Sequence, residues 1–263
     1  MTQNIITSPF GYGRIEALNR KHFVRIHAQG EAPVFVAGTE VLPVTFSELV
    51  IASLHFPIVF IRPADSKQYM PLVMTGLEKG VNLFTTIEKS GKKAIAKVLW
   101  DANAYLPAYA RRHPFCMSTV NDQVGAEQEL MVCVQSDHIA SSAAPGYVAL
   151  FDEKEQPTEH WQNVEQFLQS YQSDIALTLE FCNFLSMHDL FHDLTANLNQ
   201  SDDKQPLTIK GLYGINEEKL AALSDSMIAD MQRTGYLKRI NAHLQSLQNF
   251  EKLLRRMEKQ QIA

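Results

Sequence analysis

Two groups of residues have the types and spacing for chemistry. His188 and His192 lie four apart in SMHDLFHDL. On a helix that spacing puts both imidazoles on one face, as a shared metal ion requires. Asp189 and Asp193 follow them, and Glu180 lies about two turns earlier. Two histidines with a carboxylate from Asp189 or Glu180 would suit a metal-dependent hydrolase or oxygenase. The pattern lacks the flanking glutamate of a zincin, and an aspartate beside each histidine equally suits a solvated helix face. The second group is YLPAYARRHPF, Tyr105 to Phe115. Pro107 and Pro114 fix φ and remove backbone donors, so the segment reads as a rigid irregular loop. It gathers Tyr105, Tyr109, Arg111, Arg112 and His113, a set suited to an anionic small molecule, peptide or partner protein. The competing use of the arginines is internal, with one of them paired to a carboxylate of the acidic C-terminal region.

Other candidates are weaker. Cys116 lies three residues from His113, and an imidazolium beside Arg112 would activate a thiol. Pro114 stands between them, which favours a structural cysteine. His22 and His27 are five apart and do not share a strand face. His55, before Phe56-Pro57, is expected to be partly buried. The chain contains no G-x-S-x-G, P-loop or G-x-G-x-x-G pattern. Catalytic residues stay unassigned, and no cofactor is expected beyond a metal at His188 and His192.

The elements that must hold these groups change character along the chain. Through Pro157 the sequence punctuates as short strands: His22–His27, Pro33–Ala37, Pro57–Ile61, Tyr69–Gly76, Asn82–Ile87, Leu130–Gln135 and Tyr147–Phe151. A helix interrupts them near Thr45–Leu54, where Thr45 and Glu48 form a capping box. Thr158 then caps a helical pattern running from Glu159 to about Leu198, as one helix or as two broken at Gln172-Ser173-Asp174. Asn199–Gln205 reads as a polar loop and Leu207–Tyr213 as a short strand. Asn216, Ser224 and Gly235 punctuate further helices, the last spanning Tyr236–Met257. Its stripe of Leu237, Ile240, Leu244, Leu247, Phe250 and Leu254 reads as a core face, with self-assembly through it as the alternative. The fold class is therefore α+β. A β-rich, mainly antiparallel region over 1–157 packs against a helical region over 158–263, the two forming either separate units or one integrated domain.

Composition limits the function. The net charge of −5 argues against a general nucleic-acid binder. It is uneven, with 14 Lys/Arg against 15 Asp/Glu in residues 1–157 and 10 against 14 in 158–263. The start of the chain lacks a basic segment followed by an apolar run, so no export signal is read there. The longest apolar stretch, Leu49 to Ile61, is broken by Ser53, His55 and Pro57 and is too short to span a bilayer. Three cysteines without a CxxC pair read as buried thiols in a reducing compartment. A cytoplasmic protein is expected.

The chain also resembles the bacterial SapC family nearly end to end. The resemblance rests on FPIVF (Phe56–Phe60), NLF (Asn82–Phe84), YLPAYARRHPF (Tyr105–Phe115), LFDEKEQPT (Leu150–Thr158), GLYGINEEKL (Gly211–Leu220) and HLQSLQNFEKL (His243–Leu253). It implies an association with bacterial surface layers. It also implies an accessory role beside outer-membrane receptors and oxygenase- or halogenase-like enzymes. It carries over no catalytic residue, and His188 and His192 fall outside its motifs. The leading expectation is a non-catalytic binding or accessory protein.

Overall fold

The computed structural model describes residues 8–64, 66–88, 97–119, 130–200 and 205–262. The polar loop expected at Asn199–Gln205 lies mostly outside them.

Runs rich in Val, Ile and Phe build a five-stranded antiparallel sheet. Its order is Phe191–Leu198, Leu207–Ile215, Ile58–Ile61, Met70–Met74 and Val41–Pro43. Ile58–Ile61 is buried almost throughout, as expected of a central strand covered on both faces. Helix Tyr236–Ser246 packs across it and across Leu207–Ile215. Three smaller antiparallel sheets follow. One sets Leu130–Gln135 between Ile15–Ala17 and Phe115–Thr119. Another sets Lys97–Trp100 between Glu31–Ala32 and Thr85–Glu88. In the last, Phe23–Val24 is flanked by Ile139–Ala140 and Val148–Ala149.

The expected α+β class is present, with antiparallel sheets mostly in the first part of the chain and helices mostly in the last. One core joins the two: Leu42, Phe56 and Phe60 bury with Phe181, Leu185, Ile215, Ile240 and Leu253. A smaller cluster gathers Val24, Phe115, Val134 and Leu150 with Trp161 and Leu168.

Three elements differ from expectation, and a fourth, the long helix, resolves the one-helix or two-helix alternative. Pro33–Ala37 is a helical turn, Val34–Ala37, because Pro33 starts it and Val36 N–H closes onto Pro33 O. Helix Glu159–Met187 runs unbroken through Gln172-Ser173-Asp174. There Ser173 Oγ and Thr178 Oγ1 donate back to the carbonyls of Gln169 and Asp174, so these hydroxyls are satisfied inside the helix.

That helix stops at Met187 rather than Leu198. Leu190 N–H returns to Leu185 O, Asp189 takes φ 53°, and Phe191–Leu198 continues as an edge strand. The stretch Tyr236–Met257 divides into Tyr236–Ser246 and Asn249–Ile262. Between them, Ser246 Oγ accepts from Ile58 N–H at 2.9 Å, and Asn249 Nδ2 donates to Phe56 O at 3.0 Å. Two side chains are thus committed to the central strand's entry.

The apolar stripe is a core face. Ile240, Phe250 and Leu254 are buried, and Leu237, Leu244 and Leu247 pack against the same core. Self-assembly through this stripe would require a face that folding already covers.

Candidate functional site

YLPAYARRHPF does not remain a free loop. Pro107 starts a helical turn, Ala108–Arg111, the His113–Pro114 bond is cis, and Phe115 opens a strand. The turn directs adjacent arginines to opposite environments. Arg112 is 9% exposed and lies among three tyrosines, its guanidinium carbon 4.3 Å from the ring centre of Tyr109, 4.9 Å from Tyr171 and 5.5 Å from Tyr12. Its buried Nε has no hydrogen-bond partner among the described residues. Burial pushes the hydroxyl pKa of Tyr12, Tyr109 and Tyr171 upward, so all three rings stay neutral around the cation.

Arg111 is exposed. Its Nε donates to Leu106 O at 3.0 Å and its Nη2 to Tyr105 Oη at 2.9 Å. The guanidinium carbon lies 5.5 Å from the Tyr105 ring centre and 5.2 Å from that of Phe167 on the long helix. Among the described residues no carboxylate forms an ion pair with it. The loop therefore docks on the C-terminal region as the internal reading required, but through aromatic faces instead of a carboxylate.

Arg111 and Tyr105 edge a groove of about 520 Å³ between the loop and the long helix, with Ser47, Ile51, Phe167 and Asp174 among its walls. Its base is Glu48, a carboxylate only 5% exposed. Glu48 Oε2 accepts from Thr45 N–H at 2.9 Å and Thr45 Oγ1 at 2.8 Å, the expected capping box. Oε1 accepts from Tyr105 Oη at 2.9 Å and Ala108 N–H at 2.6 Å. Asp174 binds Ser47 through its N–H and hydroxyl and meets the Thr45 hydroxyl. Both carboxylates are thus committed within the protein, while Arg111 stands at the rim.

A second constellation was not legible as a unit. His27, His113 and His138 come from three separated segments, and one ring nitrogen from each lies within 4.8 Å of the others. His113 and His138 are buried and His27 is half-buried. Gln135 fixes the tautomer of His113. Its Oε1 accepts from Gly13 N–H at 3.1 Å and its Nε2 donates to Asp137 Oδ1 at 2.7 Å. Its carbonyl oxygen therefore faces His113 Nε2 at 2.9 Å, and that nitrogen carries the hydrogen. His113 Nδ1 keeps a lone pair and accepts from His27 Nε2–H at 2.7 Å. His138 Nδ1 donates to Arg25 O at 2.9 Å, leaving its Nε2 bare.

Burial lowers the pKa of His27 to about 4 and of His113 to about 3, and lowers that of His138, so the imidazoles are neutral. His27 borders a groove of about 320 Å³ with Arg25, Glu31 and Lys97, and its Nδ1 lies 4.0 Å from Glu31 Oε2.

Of the remaining candidates, His188, His192, Tyr109 and His113 are placed differently from their sequence reading, while Cys116 and His55 are placed as expected. His188 caps the long helix and His192 sits exposed on the edge strand. They do not share a helix face, because the chain turns at Asp189, whose carboxylate meets Lys219. Among the described residues, the metal-compatible histidine group excludes both. Tyr109 and His113 are 6% and 4% exposed, so of the predicted binding set only Tyr105 and Arg111 reach the groove. Cys116 is buried, as the structural reading favoured, and burial pushes its thiol up to about 12, opposite to the activation that a neighbouring imidazolium and Arg112 would give. His55 is half-buried, as expected.

The chain is thus an α+β protein in which two adjacent arginines are set against aromatic faces, one buried and one exposed. Residues 18–253 match the SapC family, and the chain belongs to that family. No curated protein and no solved structure matches it. No helix among the described residues is long and apolar enough to cross a membrane.

Proposed function

We propose that the chain is a non-catalytic binding and accessory protein that serves a surface-layer or outer-membrane substrate-acquisition system. It receives an anionic group of a peptide or partner protein in the groove edged by Tyr105 and Arg111. The observation that supports this reading is the setting of Arg111. Its guanidinium is exposed, bonded to Leu106 O and Tyr105 Oη, and flanked by the Tyr105 and Phe167 rings. The remaining N–H edge can meet a carboxylate or phosphate without first breaking an internal ion pair. A preset orientation reduces the side-chain entropy that binding must overcome. Ile51 and Leu177, both exposed on the groove walls, give apolar contact area beside the charge.

The test is capture of the full chain from its own cells, analysed by native mass spectrometry, beside Arg111→Ala. Loss of the bound partner from Arg111→Ala with an unchanged melting temperature supports the reading. Equal recovery of the partner by the variant removes the groove from the binding surface.

A further inference from the structure

We propose that His27, His113 and His138 form a three-imidazole site for one divalent transition-metal ion of the zinc–cobalt class. The inference goes beyond the groove reading, and the groove beside His27 shares no lining residue with the one at Arg111. It stands on how the outer nitrogens are held. In protein metal sites a ligating histidine commonly donates its other ring N–H to an oxygen, which fixes the tautomer and aims the ligand nitrogen inward. His113 Nε2 does so to Gln135 Oε1 at 2.9 Å, and His138 Nδ1 to Arg25 O at 2.9 Å. His27 Nδ1 faces Glu31 Oε2 at 4.0 Å. The three rings converge: their centroids are 5.0 Å apart for His27 and His113, 4.8 Å for His113 and His138, and 5.3 Å for His27 and His138.

Zinc–imidazole bonds of about 2.0–2.1 Å in a tetrahedron put ligand nitrogens about 3.3 Å apart. The spacing of 2.7 Å between His27 Nε2 and His113 Nδ1 is a hydrogen bond that must open by about 0.6 Å to reach that separation. His27 is the ring that can give. It is half-buried beside the groove, and on metal binding its hydrogen moves from Nε2 to Nδ1, where Glu31 stands to accept it. Charge balances, because a neutral imidazole changes tautomer by exchange with water and no net proton is released. Three neutral nitrogen ligands select zinc, cobalt, nickel or copper over magnesium and calcium, which require oxygen donors. Three protein ligands also leave a fourth position for water or a small donor molecule.

The experiment loads the metal-stripped full chain with Zn²⁺ in a calorimeter and with Co²⁺ under visible absorption. The expected result is one equivalent bound, with the intense absorption of four-coordinate Co²⁺. His27→Gln should weaken Zn²⁺ binding by about 100-fold or more, and Gln135→Leu, which leaves all three ligands in place but removes the acceptor that orients His113 together with the bonds to Gly13 and Asp137, by about 10–100-fold. His188→Ala with His192→Ala should leave it unchanged. Absence of stoichiometric uptake by folded wild-type chain overturns the site, as does undiminished uptake by His27→Gln. Should the variants unfold, imidazole NMR of the wild type still decides. Zn²⁺ must shift His27, His113 and His138 among the nine histidines, and shifts confined to other histidines overturn the assignment.

Discussion

The guanidinium carbon of Arg112 lies 4.9 Å from the ring centre of Tyr171, joining the YLPAYARRHPF turn to the long helix without a carboxylate. Tyr109 and Tyr12 complete the cage, and their hydroxyls are spent elsewhere: Tyr12 Oη donates to Phe115 O at 2.9 Å and Tyr109 Oη to Phe10 O at 2.6 Å. Tyr12 and Tyr109 thus each offer a ring face to the cation while the hydroxyl donates to the backbone. The same segment sends the adjacent arginine the other way, because Arg111 points outward to Tyr105 and Phe167.

Arg112→Ala should therefore act on folding. It empties a cage lined by three rings and removes cation–π contacts that, desolvated, are worth about 2 kcal/mol or more. The expected loss is about 2–4 kcal/mol, read as a melting temperature lower by roughly 5 °C or more. Arg112→Lys should recover little of it, since an ammonium cannot lie flat between rings. A melting temperature within about 1 °C of wild type in Arg112→Ala would show that the cage carries no stability.

Glu48 is the second predicted structural residue. Its oxygens accept from the N–H groups of Thr45 and Ala108 and the hydroxyls of Thr45 and Tyr105. Glu48→Ala leaves buried donors without acceptors, each costing about 1–3 kcal/mol, and removes the capping box besides. Chemical denaturation should show a loss of about 3 kcal/mol or more. Glu48→Gln keeps the shape but turns one oxygen into a donor facing donors, so it should rescue only part of that loss.

Much of this frame was legible in local patterns. The capping box at Thr45 and Glu48, the caps at Thr158, Asn216 and Ser224, and the left-handed Gly235 all stand where side-chain chemistry placed them. What failed was decided by tertiary contact. Phe191–Leu198 has a pattern compatible with helix, yet pairing with Leu207–Ile215 makes it a strand and separates His188 from His192. The three-histidine cluster had no local signal at all. Its members are 86 and 25 residues apart along the chain, from His27 to His113 to His138, and meet only because Phe23–Val24 pairs with Ile139–Ala140 while Leu130–Gln135 pairs with Phe115–Thr119. The opposite fates of Arg111 and Arg112 likewise depend on a helical turn between two prolines.

The cysteines give a direct measure of core closure. Cys116 and Cys133 face each other across antiparallel strands, and Cys182 lies in the long helix. All three are buried, and burial pushes the thiols of Cys116 and Cys182 up to about 12 and raises that of Cys133. At pH 8 thiolate is scarce and inaccessible, so a thiol-specific chromogenic reagent should detect almost no reactive cysteine in the native chain and all three after denaturation. Rapid native labelling of Cys116 would show that its pocket opens and that the neighbouring Arg112 activates it.

His243 ties helix Tyr236–Ser246 to the central sheet and gives the fold a pH dependence. Its ring is fully buried, with Nδ1 donating to Ile58 O at 2.9 Å and Nε2 accepting from Ile215 N–H at 3.2 Å. Both nitrogens are committed in the neutral form, because a proton on Nε2 would confront the Ile215 donor. Burial lowers its pKa from 6.5 to about 4, with Ile58 O opposing the shift and His192 adding to it. The unfolded chain therefore binds the proton first as pH falls. Stability from this group is fully present above about pH 6.5 and is lost as pH drops toward 4. At pH 5 the loss from His243 alone should be about 2 kcal/mol relative to pH 7. Imidazole NMR should show His243 remaining neutral at pH 5, and denaturation at the two pH values should show the accompanying loss. A His243 resonance titrating near pH 6.5 in folded protein would mean that the bridge between Ile58 and Ile215 does not hold the ring in its neutral form.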